Sequence, residues 1–141
     1  MDDSYIKTLS PEEKITFMKI FCCLIRADQR IEKQEIAFLN KLGRKYGLNN
    51  ATTSEIIKSS TKLDPVQEAR KITDRAKALE LLKELCVLAN ADDDLADEEL
   101  DIIINTARAM GIEDEKIRAV NRWVLDCKVV IEAGLIVMEK N

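Results

Sequence analysis

The sequence contains an internal repeat with an offset of 64 residues. Residues 17–48 and 81–112 align without a gap and are identical at eight of 32 positions, more than their composition would give by chance. Each copy holds two apolar stretches at helical spacing, separated by a polar break. The repeat therefore predicts two helix-loop-helix units, related by an approximate two-fold, each burying its apolar face against the other.

The composition favours helices over strands. The 141 residues include only four Gly, two Pro and six aromatic side chains, too few for a turn-rich β-sandwich. Helix starts are indicated at Ser10-Pro11 and Asp64-Pro65, and helix ends at Gly47 and Gly111. We predict an all-α fold, a single compact domain over residues 1–141 with about seven to eight helices. Repeat one covers about 11–61, repeat two about 73–124, and a C-terminal helix, bent near Gly134, about 126–140.

The absence of His removes imidazole ligands, Ser-His and Cys-His nucleophiles and the usual neutral-pH proton shuttle. A net charge of -4 argues against a nucleic-acid partner, which needs a basic face. No apolar run approaches the roughly 18 residues that span a bilayer, and the start, Met1-Asp2-Asp3-Ser4, is acidic where a signal peptide is basic. We expect a cytoplasmic, non-enzymatic protein with no integral membrane segment and no organic cofactor.

Cys22, Cys23, Cys86 and Cys127 show no CxxC spacing, and the segments FCCLI and ELCVL place the first three in apolar surroundings. Buried, reduced thiols are the expectation. The match between Cys22 and Cys86 leaves thiol chemistry on an oxyanion as an alternative.

Each repeat carries an Asp followed by a Glu seven residues later: Asp28 and Glu35, then Asp92 and Glu99. The Asp leaves one helix and the Glu falls in the first turn of the next, so both carboxylates can face one concavity. Carboxylates gathered in this way repel one another unless a cation neutralises them, and Ca²⁺ or Mg²⁺ suits an all-oxygen site. Further candidate ligands are Glu32, Asp93 and Asp94.

A simple helix-start role competes with that interpretation, whereas an EF-hand does not. Glu35 and Glu99 also suit the first turn of a helix, where the dipole and the free amide groups favour acids. An EF-hand is excluded because its Gly and Glu positions hold Asp97 and Ile103 in the second copy, and Lys33 and Leu39 in the first.

Charge divides unevenly between the two copies. Residues 26–48 hold six basic and three acidic side chains, whereas residues 90–112 hold one and seven. A cation site should therefore depend mainly on the second copy.

Four further expectations concern single residues and the tail. Arg44 and Arg108 should pair with an acid of the opposite repeat or of a terminal helix, since neither reaches the Glu of its own unit. Trp123 should lie in the core. The apolar tail 129–138 should dock on the domain's own core rather than bind a partner.

The segments LIRADQRIEKQEIAFLNKLGRKYGL and VLANADDDLADEELDIIINTARAMGI resemble the TerB-like family over about residues 11–124. That family includes tellurite-resistance TerB proteins and the N-terminal domain of certain membrane-anchored DnaJ-like co-chaperones. The resemblance implies an all-helical cytoplasmic domain with an acidic metal site at Asp28, Glu35, Asp92 and Glu99. Glu32 fits the family's intermediate acid, although Ala96 stands at the matching place, and Gln29 and Asp93 replace the usual Gly.

The predicted function is a non-enzymatic module that binds a divalent cation in a stress or tellurite-resistance response. The alternative is a metal-free helical adaptor that binds a protein partner through its acidic face or its C-terminal helix.

Overall fold

A computed structural model describes residues 3–28, 31–91 and 95–139, with only the backbone of Asp28. These residues form seven α-helices, three short 3₁₀ turns and their connections, which confirms the all-α prediction. The helices are α1 (Pro11–Ile25), α2 (Lys33–Lys45), α3 (Asn50–Ser59), α4 (Pro65–Ala69), α5 (Arg75–Ala89), α6 (Asp97–Ala109) and α7 (Asp114–Val137). The 3₁₀ turns cover Ser4–Thr8, Arg26–Asp28 and Ser60–Lys62.

Side-chain caps fix the helix starts. The Ser10 hydroxyl accepts a hydrogen bond from the Glu13 amide at 3.1 Å, and Glu13 accepts one from the Ser10 amide at 2.8 Å. Asp64 and Asp74 cap α4 and α5 through the amides of Val66 and Lys77, each at 3.0 Å. The cap of α3 is Asn49, whose side chain accepts a hydrogen bond from the Thr52 amide at 2.8 Å.

The helix bounds repeat with the offset found in the sequence. The helices α1 and α5 begin at residues 11 and 75, α2 and α6 at 33 and 97, and α3 and α7 at 50 and 114, a difference of 64 each time. Gly47 and Gly111 follow α2 and α6 with φ of 79° and 80°, the left-handed conformation of a helix end. The approximate two-fold between the halves stays a prediction.

The core lies between α1 and α5. Their inward side chains are at most 1% exposed: Phe17, Ile20, Phe21, Leu24, Leu81, Leu82, Leu85 and Cys86. Around them, α4 packs on α1 and α6, α3 packs on α1 and α2, and α7 packs on α5. Each fully buried apolar side chain contributes about 1.5–3 kcal/mol, so the side chains that α1 and α5 bury supply much of the folding free energy.

The tail differs from the expectation. Instead of a separate helix at about 126–140, α7 runs without interruption from Asp114 to Val137 and passes through Gly134. Its first half is anchored by Ile117 and Val124, which are 6% and 4% exposed. With 24 residues, α7 is roughly 36 Å long, whereas its partner α5 has 15 residues and is roughly 22 Å long. The end of α7 therefore projects beyond the helix on which it packs.

Two expectations about α7 were wrong. The residues 129–138, here called the α7 extension, do not dock on the core: Val130 is 70% and Val137 78% exposed. Trp123 is 49% exposed rather than buried, because Val124 beside it takes the inward position.

Candidate functional site

Glu35 and Glu99, predicted as ligands from the two repeats, line the same cleft. The cleft measures about 290 Å³ and lies where the ends of α1 and α5 approach the starts of α2 and α6. Its wall is otherwise largely apolar and consists of Leu24, Ile25, Gln34, Phe38, Leu88 and Ala91. The structure thus brings together two carboxylates that are 64 residues apart in the chain.

Both glutamates also cap their own helices. Glu35 Oε1 accepts a hydrogen bond from the Glu32 amide at 2.8 Å, and Glu99 Oε1 accepts one from the Ala96 amide at 3.3 Å. These contacts are the ones the helix-start interpretation predicted, since a Glu at the third helical position returns to the amide before the helix. One oxygen of each carboxylate is therefore already engaged, and a cation would share the carboxylate with a backbone amide.

The remaining predicted ligands are placed only in part. Asp28 ends the 3₁₀ turn after α1, and its side chain lies outside the described part of the chain, as do Asp92, Asp93 and Asp94 entirely. Glu32 immediately precedes α2.

The residues that the structure describes do not by themselves form a cation site. Among residues 3–28, 31–91 and 95–139, no group of three or more Asp, Glu or Cys side chains could hold a metal ion. Ca²⁺ takes six to eight oxygen ligands and Mg²⁺ takes six, many of them water. Glu35 and Glu99 have the right donor chemistry, but a complete shell needs further oxygens from the two loops or from water.

The repeated arginines fix the connections after α2 and α6. Arg108 forms two hydrogen bonds of 2.9 Å to Asp114, which lowers the pKa of that carboxyl group. The predicted ion pair of Arg108 is thereby confirmed, but its partner lies in the same repeat, at the start of α7, and not in the opposite repeat or the expected helix at 126–140. Arg44 instead donates at 3.4 Å to the amide oxygen of Asn50, so the expected acid was wrong there. Because Asn50 and Asp114 are matching positions, both arginines contact the same position of their repeats, but Arg108 does so through a charged pair with two shorter bonds.

The three buried thiols are poorly suited to nucleophilic chemistry. Cys22, Cys23 and Cys86 are buried and reduced, as predicted, while Cys127 on α7 is partly buried. Burial raises the pKa of Cys22 and Cys86 to about 12 and that of Cys23 to about 11. At neutral pH these three are almost wholly protonated, and a thiol is a poor nucleophile in that form.

Sequence reasoning missed a second cleft of about 490 Å³ under the α7 extension. Val87 and Val124 form part of its wall and Ile131 its outer edge, with Asp3, Lys45 and Glu84 among the charged lining residues. Lys128 crosses to the end of α5, where its Nζ donates to the Asn90 carbonyl at 2.6 Å. The apolar tail was the signal for this cleft in the sequence. The periodicity of the tail, however, does not reveal whether another part of the protein covers its apolar side chains.

Comparison with known proteins gives one match. Residues 14–122, over three quarters of the chain, match the family described as Tellurite resistance protein TerB. No curated protein and no solved structure matches the chain. Within the described residues, no helix is both long and apolar enough to cross a bilayer. The match spans both helix-loop-helix units and the cleft between Glu35 and Glu99, and on this ground the chain belongs to the TerB family.

Proposed function

We propose that this chain is a non-enzymatic, cytoplasmic helical module that binds a divalent cation in a stress or tellurite-resistance response. The proposed ligands are Asp28, Glu35, Asp92 and Glu99, with Glu32, Asp93 and Asp94 as additional oxygens. The observation that carries the proposal is the shared cleft: Glu35 and Glu99 come from separate repeats and line the same cavity.

The chemistry of the donors supports Ca²⁺ or Mg²⁺. The chain has no His, and the buried thiols Cys22, Cys23 and Cys86 have pKa values raised to about 11 or 12. Soft and borderline metals therefore lack their preferred ligands here, whereas hard cations need only carboxylate, carbonyl and water oxygens.

The capping role of the glutamates provides a way to test the cation role separately. Glutamine at the same position keeps an oxygen that can accept from the backbone amide, and it is itself a normal capping-box residue. The same substitution, however, removes the negative charge that a cation needs. The variants Glu35→Gln and Glu99→Gln should therefore keep their helix starts and lose affinity for the cation.

The experiment is calorimetric titration with Ca²⁺, Mg²⁺ and Mn²⁺. Wild type should show saturable heat, and Glu35→Gln and Glu99→Gln should bind at least about tenfold more weakly. Glu98→Gln is the matched control, since Glu98 is exposed in the same turn of α6 and does not line the cleft. Asp92→Asn should weaken binding more than Asp28→Asn, because the second copy is the more acidic. Absence of saturable heat in wild type, or unchanged binding in both glutamine variants, would contradict the proposal.

A metal-free adaptor is the second candidate, favoured by the exposed apolar α7 extension and by the exposed acids Asp97, Glu98 and Asp101 on α6. Capture of binding proteins would compare wild type with Val137→Asp, which alters only an exposed position. A second variant would replace the three acids by asparagine or glutamine. If neither variant changes the set of captured proteins, the adaptor role fails.

A further inference from the structure

The α7 extension is apolar on nearly all sides and largely uncovered. Between residues 129 and 138 the only charged side chain is Glu132. The exposed fractions of its large apolar side chains are Val129 64%, Val130 70%, Ile131 63%, Leu135 39%, Ile136 65%, Val137 78% and Met138 63%. A helix of this kind is normally buried, because so large an apolar surface is costly in water.

One face of α7 has a symmetric pattern. Trp123, Val130 and Val137 are each seven residues apart, so they lie on one side of the helix two turns from each other. Trp123 is 49% exposed, and all three are accessible. Small side chains, Cys127 on one side and Ala133 on the other, stand at equal distances along the chain from Val130. Read from Val130 in either direction, this face presents a small residue after three positions and a large apolar one after seven.

We propose that the α7 helices of two copies of this chain pair in antiparallel fashion about a two-fold axis at Val130. In that arrangement Trp123 packs on Val137 of the partner subunit, and Val130 packs on Val130 of the partner subunit. Cys127 faces the partner's Ala133, and the small side chains let the helices approach. Such a contact is isologous, the form that closed dimers use.

The face that pairs is small. At roughly 100 Å² for a fully exposed large apolar side chain, Trp123, Val130 and Val137 together expose on the order of 200 Å² per copy. A standard interface buries about 800 Å² per partner, so this pairing belongs to the weak class of interfaces.

Charge argues against a lipid surface as the cover. Helices that lie on membranes carry Lys and Arg along their polar face, where these meet anionic headgroups. The α7 extension instead has Glu132 as its charged position. Of the two charged side chains just before it, Asp126 is acidic, and the Lys128 ammonium donates to the Asn90 carbonyl at the end of α5.

Sedimentation equilibrium of the full chain over the micromolar to millimolar range tests the pairing. Wild type should dimerise, and Val130→Asp should raise the dissociation constant at least about tenfold. Ile136→Asp is the matched control, because Ile136 is 65% exposed, like Val130 at 70%, but lies roughly 120° away around the helix. It should dimerise as wild type does.

A second measurement uses the two-fold directly. A residue on the axis meets itself, so Val130→Cys in a Cys127→Ser background should form a disulfide-linked dimer on mild oxidation. Ile136→Cys in the same background should not. The other native cysteines are buried and do not compete.

Three results would overturn the pairing. These are a wild type that stays monomeric throughout, equal weakening by both aspartate variants, or flotation of wild type with phosphatidylcholine–phosphatidylserine vesicles that Val130→Asp abolishes. The last would identify lipid as the cover of α7. The inference does not depend on the cation proposal, since the titration examines the Glu35–Glu99 cleft and either experiment can fail while the other succeeds.

Discussion

Lys77 and Glu13 form an ion pair between the starts of α5 and α1, with Lys77 Nζ 2.9 and 3.1 Å from the two carboxylate oxygens of Glu13. The two residues are 64 apart and so occupy matching positions in the two halves. A contact between matching positions is what the predicted two-fold requires close to its axis. Glu13 thus caps α1 and joins it to α5.

The pair makes stability depend on pH in the acid range. Hydrogen bonding from the Ser10 amide, and then from Lys77, lowers the pKa of Glu13. A carboxyl group whose pKa is lower in the folded state adds stability above its unfolded pKa, and this is lost as the pH falls through the folded value. Glu13→Gln keeps the cap and should lose about 0.5–1 kcal/mol at neutral pH, a small value because the pair is partly solvated.

Urea unfolding followed by circular dichroism at several pH values checks this prediction. Between about pH 5 and pH 3, the free energy of unfolding should fall less steeply for Glu13→Gln than for wild type. Glu12→Gln, in the same exposed turn, should keep the wild-type slope. Identical slopes for wild type and Glu13→Gln would refute the role of the pair.

Gly47 and Gly111 should be equally sensitive to substitution. Their φ values of 79° and 80° strain any residue with a Cβ, and neither has an atom within 4 Å of an added Cβ. Alanine at either position should therefore cost about 1–2 kcal/mol from backbone strain alone. Asparagine, which tolerates the left-handed region, should recover part of that loss. Thermal denaturation of the two alanine and two asparagine variants measures these changes in stability. An alanine variant as stable as wild type would disprove the backbone argument.

Gly43 is required by a close helix contact rather than by its φ. A Cβ at Gly43 would overlap the fully buried Thr53 side chain of α3, so Gly43→Ala should cost about 1–3 kcal/mol. Combining it with Thr53→Ala should cost less than the sum of the two single changes, because the second substitution makes room. Gly134→Ala is the control: it has open space in α7 and should be neutral or stabilising by up to about 1 kcal/mol. Strict additivity in denaturant unfolding would contradict the contact.

The cysteines should react in the order of their burial. At pH 8 in dilute solution, iodoacetamide should label Cys127 on the native protein, and Cys22 and Cys86 at least about a hundredfold more slowly. The cause is that burial raises the pKa of the latter two thiols to about 12 and also blocks access. Peptide mass spectrometry gives each rate, and protein unfolded in urea supplies the control in which all four react alike. Rapid native labelling of Cys22 or Cys86 would show that the core opens.

The helix starts and ends were predictable because their signals act within a few residues. Ser10, Asp64 and Asp74 cap the amides that follow them, and Gly47 and Gly111 end α2 and α6. The start of α3 is less clear in the sequence, since Asn49 and Asn50 are chemically equal candidates for its cap and only the geometry distinguishes them.

The surroundings of α7 could not be predicted in the same way. Apolar periodicity shows which face of a helix avoids water, but it does not reveal whether the chain supplies a partner for that face. Trp123 is exposed because its neighbour Val124 takes the inward position, which depends on how α7 is rotated about its axis. The α7 extension passes beyond the end of α5, which depends on the relative lengths of two helices.

The candidate site could be predicted from the sequence in part. The seven-residue spacing identified Glu35 and Glu99, and the repeat suggested that they share a concavity, where the structure places them. The capping bonds of the same two residues follow from their position in the first helical turn. The number of oxygens that converge depends on loop conformation, which spacing does not determine.

The exposure of Trp123 has one practical consequence. It is the only tryptophan in the chain, so all tryptophan emission from this protein reports on a single accessible face of α7. Any molecule that covers that face displaces water from an indole ring, which shifts the emission to shorter wavelength and slows its quenching by iodide. The protein therefore carries a built-in optical probe of whatever binds α7, readable without a label.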